Sequence, residues 1–185
     1  MRSPFLYFAG DLLSETELIA ASLDGHLVRL GEGFVPADTV ETAALRAASI
    51  GPFLGDDAAA THASAAWILG ACDEPPVRHS IQRCVAHRTR QRLDHRYRYR
   101  DPRVEDADLL RLGGLAVTTP TRTAADLARE EDEDAGVLLC GLARAHPGVL
   151  ALAADWFLAR GKMPGKRPAL RLLARCQEEV TRYTS

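Results

Sequence analysis

The chain has 185 residues, 46% of them hydrophobic, and a formal net charge of -2. This length and composition predict a globular protein with a proper core, built as one large domain or two smaller ones. The apolar stretch near the N-terminus is interrupted by Gly10 and Asp11, and no other stretch approaches membrane length. We therefore expect a cytoplasmic protein with neither signal peptide nor membrane span.

The N-terminal part predicts a helix followed by a hairpin. Ser14 and Glu17 have the spacing of a capping box, which opens a helix that runs to residue 23. Residues 25–37 alternate in hydrophobicity on either side of a Gly-Glu-Gly turn at 31–33, the pattern of two short antiparallel strands.

Two further helices are predicted before the first proline-rich break. Asp38 and Glu41 form a second possible capping box, and Gly51 with Pro52 would end that helix. The alanine-rich segment 57–69 predicts a third helix, which ends at a glycine.

Strands are expected in the middle of the chain and helices at its end. Residues 77–87 and 95–101 alternate as strands do, with a loop at 88–94 between them, and 109–119 leads through another strand. The last third is predicted to be helical, with segments at 124–145, 147–161 and 168–183 separated by glycines, prolines and acidic residues.

A short basic block lies within this otherwise acidic chain. Residues 78–103 hold nine arginines against two aspartates, which gives that segment a charge of +7. Alternation along a strand would place most arginines on one face and the tyrosines on the other, suited to phosphates and stacked bases respectively. The alternative is a solvated sheet face paired with acidic segments of the same chain. The candidate binding residues in the block are Arg83, Arg88, Arg90, Arg92, Arg96, Tyr97, Arg98, Tyr99 and Arg100.

The stretch from Val117 to Ala128 predicts a strand that leads into a capped helix. Thr119 is suited to the N-cap and Pro120 to the first helical position. Arg122 and Asp126 are four residues apart on that helix and are predicted to form a structural ion pair.

Catalytic, metal and cofactor sites are not expected. The four cysteines are far apart, and the sequence has neither an H-x-x-x-H pair nor a G-x-x-x-x-G-K loop. His62 and Ser64 are two apart on a predicted helix and would point in different directions, so we interpret this histidine as structural.

The order of these features resembles the AbiEi-like type IV antitoxin family. The segments that carry the resemblance are "GHLVRLGEGFVPAD", "THASAAWILG", "GLAVTTPTRTAADLA" and "LARAHPGVLALAADWFLARG". A similar regulatory module precedes very-short-patch-repair-like endonuclease domains in actinobacterial proteins. The resemblance extends over about residues 9–176.

This resemblance implies an α+β fold in two parts. Residues 1–38 would form a degenerate N-terminal winged helix-turn-helix, and 39–185 a mixed α/β domain with a helical C-terminal third. It implies a non-catalytic transcriptional regulator that binds duplex DNA and has a nucleotidyltransferase-like toxin as its partner. Arg29, in the hairpin that corresponds to the wing, joins the candidate binding residues.

One departure from the family pattern keeps a second interpretation open. The helix at 14–23 corresponds to the recognition helix, yet it offers Glu15 and Glu17 and no basic residue. Carboxylates facing DNA phosphates would be repelled. The alternative is therefore a protein-interaction module that binds a cognate toxin rather than DNA.

Overall fold

The computed structural model describes residues 4–87, 95–130 and 132–184. These residues form the mixed α/β architecture that the sequence predicts. The helices are α1 Glu15–Leu23, α2 Ala43–Leu54, α3 His62–Ile68, α4 Pro120–Leu127, α5 Glu133–Ala145, α6 Val149–Leu158 and α7 Lys166–Thr184. The strands are β1 Leu27–Leu30, β2 Gly33–Pro36, β3 Ala58–Ala60, β4 His79–Arg83, β5 Tyr97–Arg100, β6 Leu109–Leu112 and β7 Leu115–Thr118.

A five-stranded mixed sheet organises the larger part of the fold. Its strand order is β5-β4-β3-β7-β6, with β3 parallel to β7 and β4 parallel to β5. The β3–β4 and β6–β7 pairs are antiparallel. Strand β5, which carries the predicted arginine row, therefore lies at an edge of the sheet.

The N-terminal segment contains the predicted helix and hairpin. Ser14 caps α1, and the capping box with Glu17 is complete. Strands β1 and β2 pair antiparallel, and Tyr7 forms a bridge with Phe34 beside them. Leu30 packs in the same apolar cluster as α2. The winged helix-turn-helix assignment and the boundary after residue 38 stay predictions.

The prediction of a helix beginning at residue 57 is wrong for its first turn. Ala58, Ala59 and Ala60 form the central strand β3, and α3 begins only at His62. All three alanines are buried between β4 and β7, so pairing with both neighbours overrides their helix propensity.

The predicted ends of α2 are also wrong. Its N-cap is Thr42, whose hydroxyl accepts the Leu45 amide, whereas Glu41 forms an ion pair with Arg46. The helix continues through Pro52, which lies in its last turn and has no amide to donate to the carbonyl four residues earlier, so the helix lacks one backbone hydrogen bond there.

Two apolar clusters fill the interior, one around α2, α3 and the sheet and one among α3 to α7. Helix α5 approaches the end of α3 very closely at Gly141, where a Cβ would lie 2.0 Å from the carbonyl oxygen of Ala71. Position 141 therefore accepts no side chain without movement of the backbone.

Within the described ranges, no single helix is both long and apolar enough to cross a membrane. The bent pair Asp134–Ala145 and Val149–Leu158 meets that test together, by length and composition only.

Candidate functional site

The arginine row, defined as Arg96, Arg98 and Arg100, meets carboxylates of the same chain. Arg96 Nη1 lies 2.9 Å from Glu32 Oε2, in the turn of the β1–β2 hairpin. Arg100 pairs with Glu130, which follows α4, and Arg98 Nη1 lies 3.8 Å from the other oxygen of that carboxylate. Arg98 keeps 61% of its side chain exposed and is the most accessible guanidinium of the row.

The two tyrosines of β5 differ in accessibility. Tyr97 is buried, and its ring stacks 6.1 Å from that of His79. Tyr99 is half-buried, and its hydroxyl lies 3.5 Å from Asp101 Oδ1. Tyr99 is therefore the ring with more surface to offer a ligand.

Of the other predicted binding arginines, Arg83 lies beside the end of β5, where its Nε donates to the Asp101 carbonyl at 3.1 Å. Arg83 Nη1 donates to the carbonyls of Val85 and Ala86 at 2.7 and 2.8 Å, which orders the chain after β4. Arg29 lies on the hairpin with its guanidinium 5.8 Å from the centre of the Phe34 ring. The predictions for Arg88, Arg90 and Arg92 fall outside the described residues.

Arg122 lies at the centre of a buried polar network. Its Nε lies 2.9 Å from both oxygens of Asp126, the partner that the helical spacing predicts. Its Nη1 donates to Asp108 Oδ2 at 2.8 Å, and the other oxygen of Asp108 accepts the indole N–H of Trp156 at 3.0 Å. Burial disfavours the charged guanidinium, but these two carboxylates raise the pKa of Arg122 above its ordinary value. Asp108 is distant in sequence and carries no pattern that predicts this contact.

His62 combines an uncommon backbone conformation with a polar, buried setting. Its φ of 48° is the one positive value among the described non-glycine residues, which costs about 1–2 kcal/mol. Its Nδ1 lies 3.0 Å from Thr61 Oγ1 and its Nε2 3.4 Å from Glu130 Oε1. Burial, and then the charges of Arg100, Arg122, Arg129 and Arg98, lower the pKa of His62 to about 3. The imidazole is therefore neutral at physiological pH.

Strain, burial and a perturbed pKa occur together more often at functional sites than elsewhere. The sequence interpretation of His62 as structural missed this setting, because its partner Glu130 is 68 positions away. A cleft of about 570 Å³ opens beside His62, Arg98 and Glu130. We call it the His62 cleft.

A second histidine lies between a serine and a glutamate in an arrangement that resembles a catalytic triad. Ser64 Oγ lies 3.2 Å from His79 Nδ1, and His79 Nε2 lies 3.8 Å from Glu32 Oε1. Ser64 is fully buried, and its oxygen already accepts the Ser80 amide at 2.8 Å. A substrate cannot reach this hydroxyl, so we interpret these side-chain contacts as a structural link between α3 and β4.

Among the residues that the structure describes, no group of three or more histidine, cysteine or carboxylate residues is placed to hold a metal ion. The four cysteines are free. Cys140 and Cys176 are buried, and burial raises the pKa of the Cys176 thiol to about 12, which disfavours a reactive thiolate.

The fold and the site together define a mixed α/β domain whose polar centre is made of paired arginines and carboxylates. Residues 58–139 match the family model of the AbiEi antitoxin C-terminal domain. The match confirms the predicted resemblance to the AbiEi-like antitoxin family, and it contains the arginine row, Arg122 and His62. No curated protein matches the chain.

Proposed function

We propose that this chain is a non-catalytic, antitoxin-type transcriptional regulator that binds duplex DNA through the arginine row and the basic block around it. The observation that carries the proposal is the position of Arg98, largely exposed on an edge strand of the sheet. A guanidinium in that position can reach a phosphate without disturbing the core. The AbiEi antitoxin match supports a regulatory role.

The contacts of the row allow binding by exchange of partners. Glu130 neutralises part of the charge of Arg98 and Arg100, and Glu32 does so for Arg96. A phosphate backbone presents many anionic oxygens and releases counterions when it binds, which favours the exchange at low salt. The carboxylates then act as competitors that suppress weak, non-specific association.

Helix α1 is a poor recognition helix. Its first turn carries Glu15 and Glu17, both exposed, and it has no basic residue in its last turn. DNA approaching this face would meet repulsion rather than base contacts. The proposal therefore assigns DNA contact to β5 and its surroundings.

Fluorescence anisotropy with a labelled duplex from the protein's own promoter region, at several salt concentrations, tests this proposal. Replacing Arg96, Arg98 and Arg100 together by alanine should weaken binding and reduce the salt slope by about 3, since each phosphate contact contributes roughly 0.9. The matched control replaces Arg167, Arg171 and Arg175, three exposed arginines of α7, by alanine.

The control should retain the affinity and slope of the wild type, although it loses the same charge. Absence of wild-type binding at low salt, or equal losses in both triple variants, would contradict the proposal.

Incubation with plasmid DNA and magnesium or manganese should leave the plasmid uncut, and metal-dependent cleavage would overturn the non-catalytic assignment.

A second candidate function is binding of a protein partner, here a nucleotidyltransferase-like toxin. The observation that favours it is the apolar surface of α1, where Ile19 and Leu23 are exposed four residues apart and so share one face. Leu12 and Val28 are also exposed in the same N-terminal segment. Exposed apolar side chains on adjacent elements are typical of interaction surfaces.

Co-expression with the product of the adjacent reading frame, followed by purification, tests this second candidate. Replacing Ile19 and Leu23 by glutamate should abolish co-purification. The same replacement at Leu152 and Leu158, which are exposed on α6, should not. The candidate is wrong if the neighbour fails to co-purify with the wild type or is retained equally by both variants.

A further inference from the structure

The His62 cleft has the size and lining of a small-molecule site. Its volume of about 570 Å³ lies within the range of ligand pockets. One wall comes from residues 74–78 before β4, another from Arg98 on β5, and a third from Ala135 and Leu138 in the first turns of α5. Three different segments therefore meet around one volume.

Both signs of charge line this cleft, together with apolar surface. Arg78 and Arg98 contribute guanidinium groups, while Asp132 and Asp134 contribute exposed carboxylates. Val137, on α5, adds exposed apolar surface to the lining. A ligand that satisfies this lining needs an anionic group, a cationic group and an apolar body.

Arg98 is the cationic group best placed to receive a ligand. The Glu130 carboxylate already contacts Arg100 and His62, and it lies 3.8 Å from Arg98, beyond hydrogen-bond length. A ligand carboxylate can approach Arg98 in a bidentate manner without breaking the Arg100–Glu130 pair. The neutral ring of His62 forms part of the same lining and adds no charge of its own.

We propose that the His62 cleft binds a small zwitterionic ligand of the amino-acid type. The ligand carboxylate pairs with Arg98, its ammonium group faces Asp132 and Asp134, and its apolar side chain lies against Val137 and Leu138. This site goes beyond the proposed DNA-binding function, and it is tested without DNA.

Isothermal titration with L-leucine, N-acetyl-L-leucine and L-leucinamide tests the proposal directly. The acetylated probe lacks the ammonium group and the amide lacks the carboxylate. We expect L-leucine to bind, and each blocked probe to bind at least about tenfold more weakly, because each loses one charged contact. Failure of all three probes to bind at millimolar concentration, or equal binding of the three, would overturn the proposal.

Two variants locate the ligand in the cleft. Arg98→Gln should weaken L-leucine binding and leave the already weak affinity for leucinamide unchanged, because leucinamide has no carboxylate. Asp134→Asn should also weaken L-leucine binding but leave the affinity for N-acetyl-L-leucine unchanged, because that probe has no ammonium group. Arg171→Gln and Glu178→Gln, which remove one positive and one negative charge at exposed sites on α7, are the controls.

Both cleft residues are exposed, so the variants should fold, and thermal unfolding checks this. L-leucine binding that is insensitive to both cleft variants would place the ligand elsewhere and refute the assignment. Because these titrations contain no DNA, loss of DNA binding in the triple arginine variant and loss of ligand binding are separate results.

Discussion

Arg122 and Arg98 carry the same guanidinium group in opposite surroundings. Arg122 is 10% exposed and contacts two carboxylates at 2.8–2.9 Å. Arg98 is 61% exposed, and its Nη1 lies 3.8 Å from the carboxylate of Glu130. Both belong to the segment that matches the AbiEi antitoxin C-terminal domain. The comparison shows that the same side chain can form a buried ion-pair network at one position and remain accessible to solvent at another.

The physical basis of this difference is solvation. A buried charge must be matched by its partners, since water cannot replace them, and removal of one partner leaves the other uncompensated. An exposed ion pair gains little because water solvates both groups well. Substitutions in the Arg122 network should therefore affect mainly the free energy of unfolding, while substitutions in the arginine row should affect mainly the proposed binding of DNA.

The largest expected effect is from Arg122→Ala. The change leaves the buried Asp126 carboxylate without the guanidinium that contacts it, while Asp108 keeps only the partly exposed Arg160 at 3.5 Å. We therefore expect the free energy of unfolding to fall by about 3–5 kcal/mol. Denaturant unfolding followed by circular dichroism measures it. Arg171→Ala, at an exposed position on α7, is the control and should change stability by less than about 0.5 kcal/mol. Similar losses in the two variants would remove the contrast between buried and exposed arginines.

A change of pH should have an intermediate effect on stability, through His62. Burial lowers the pKa of this residue, and so do the charges of Arg122 and of Arg100 and Arg98 in the arginine row. The folded state keeps this imidazole neutral down to pH of about 3, whereas the unfolded chain binds a proton below about 6.5. The contribution of His62 to the free energy of unfolding is therefore fully present above the pKa of the unfolded chain, and it is lost as the pH falls below that value. Between pH 7 and 5 we expect a loss of about 2 kcal/mol from this residue.

His62→Asn isolates that contribution. Asparagine tolerates the left-handed backbone and does not titrate, so the variant should lose about 2 kcal/mol less than the wild type between pH 7 and 5. Chemical unfolding at the two pH values provides the comparison. Burial also lowers the pKa of His79, so part of the pH dependence should persist. An unchanged pH dependence in the variant would show that His62 titrates normally.

The smallest stability effect is expected from Glu130→Gln. The change removes the carboxylate that pairs with Arg100 and approaches Arg98, at a site where the carboxylate keeps partial contact with water. We expect a stability change of at most about 1 kcal/mol. If the row binds phosphates, DNA affinity should rise several-fold, because an internal competitor is gone. Anisotropy titration checks this, with Glu178→Gln on α7 as the control, and an unchanged affinity would contradict the competition.

Local sequence patterns predicted the features that local chemistry controls. The capping box of Ser14 and Glu17, the Thr119 cap and the Arg122–Asp126 pair all lie within four residues in the sequence, and all are present. These contacts depend on helix geometry. The same local spacing at Asp38 and Glu41 predicted a capping box that does not form, because Thr42 caps α2 and Glu41 pairs with Arg46.

Contacts between distant segments could not be predicted in this way. The pairing of Glu130 with His62 and the arginine row depends on how the sheet is assembled. The strand at Ala58–Ala60 exists because two neighbours pair with it, although its sequence favours a helix. The sequence left open whether acidic segments of the same chain meet the arginines, and only the folded chain shows which carboxylates do so.

The close approach at Gly141 has a mechanical consequence for the His62 cleft. Ala71 immediately precedes the 72–78 segment on one side of the cleft, and Gly141 belongs to the helix on the other. The two walls thus touch through backbone atoms, which have no rotamers to adjust. Any side chain added at position 141 would have to displace Ala71, and with it the segment on one side of the cleft, away from α5.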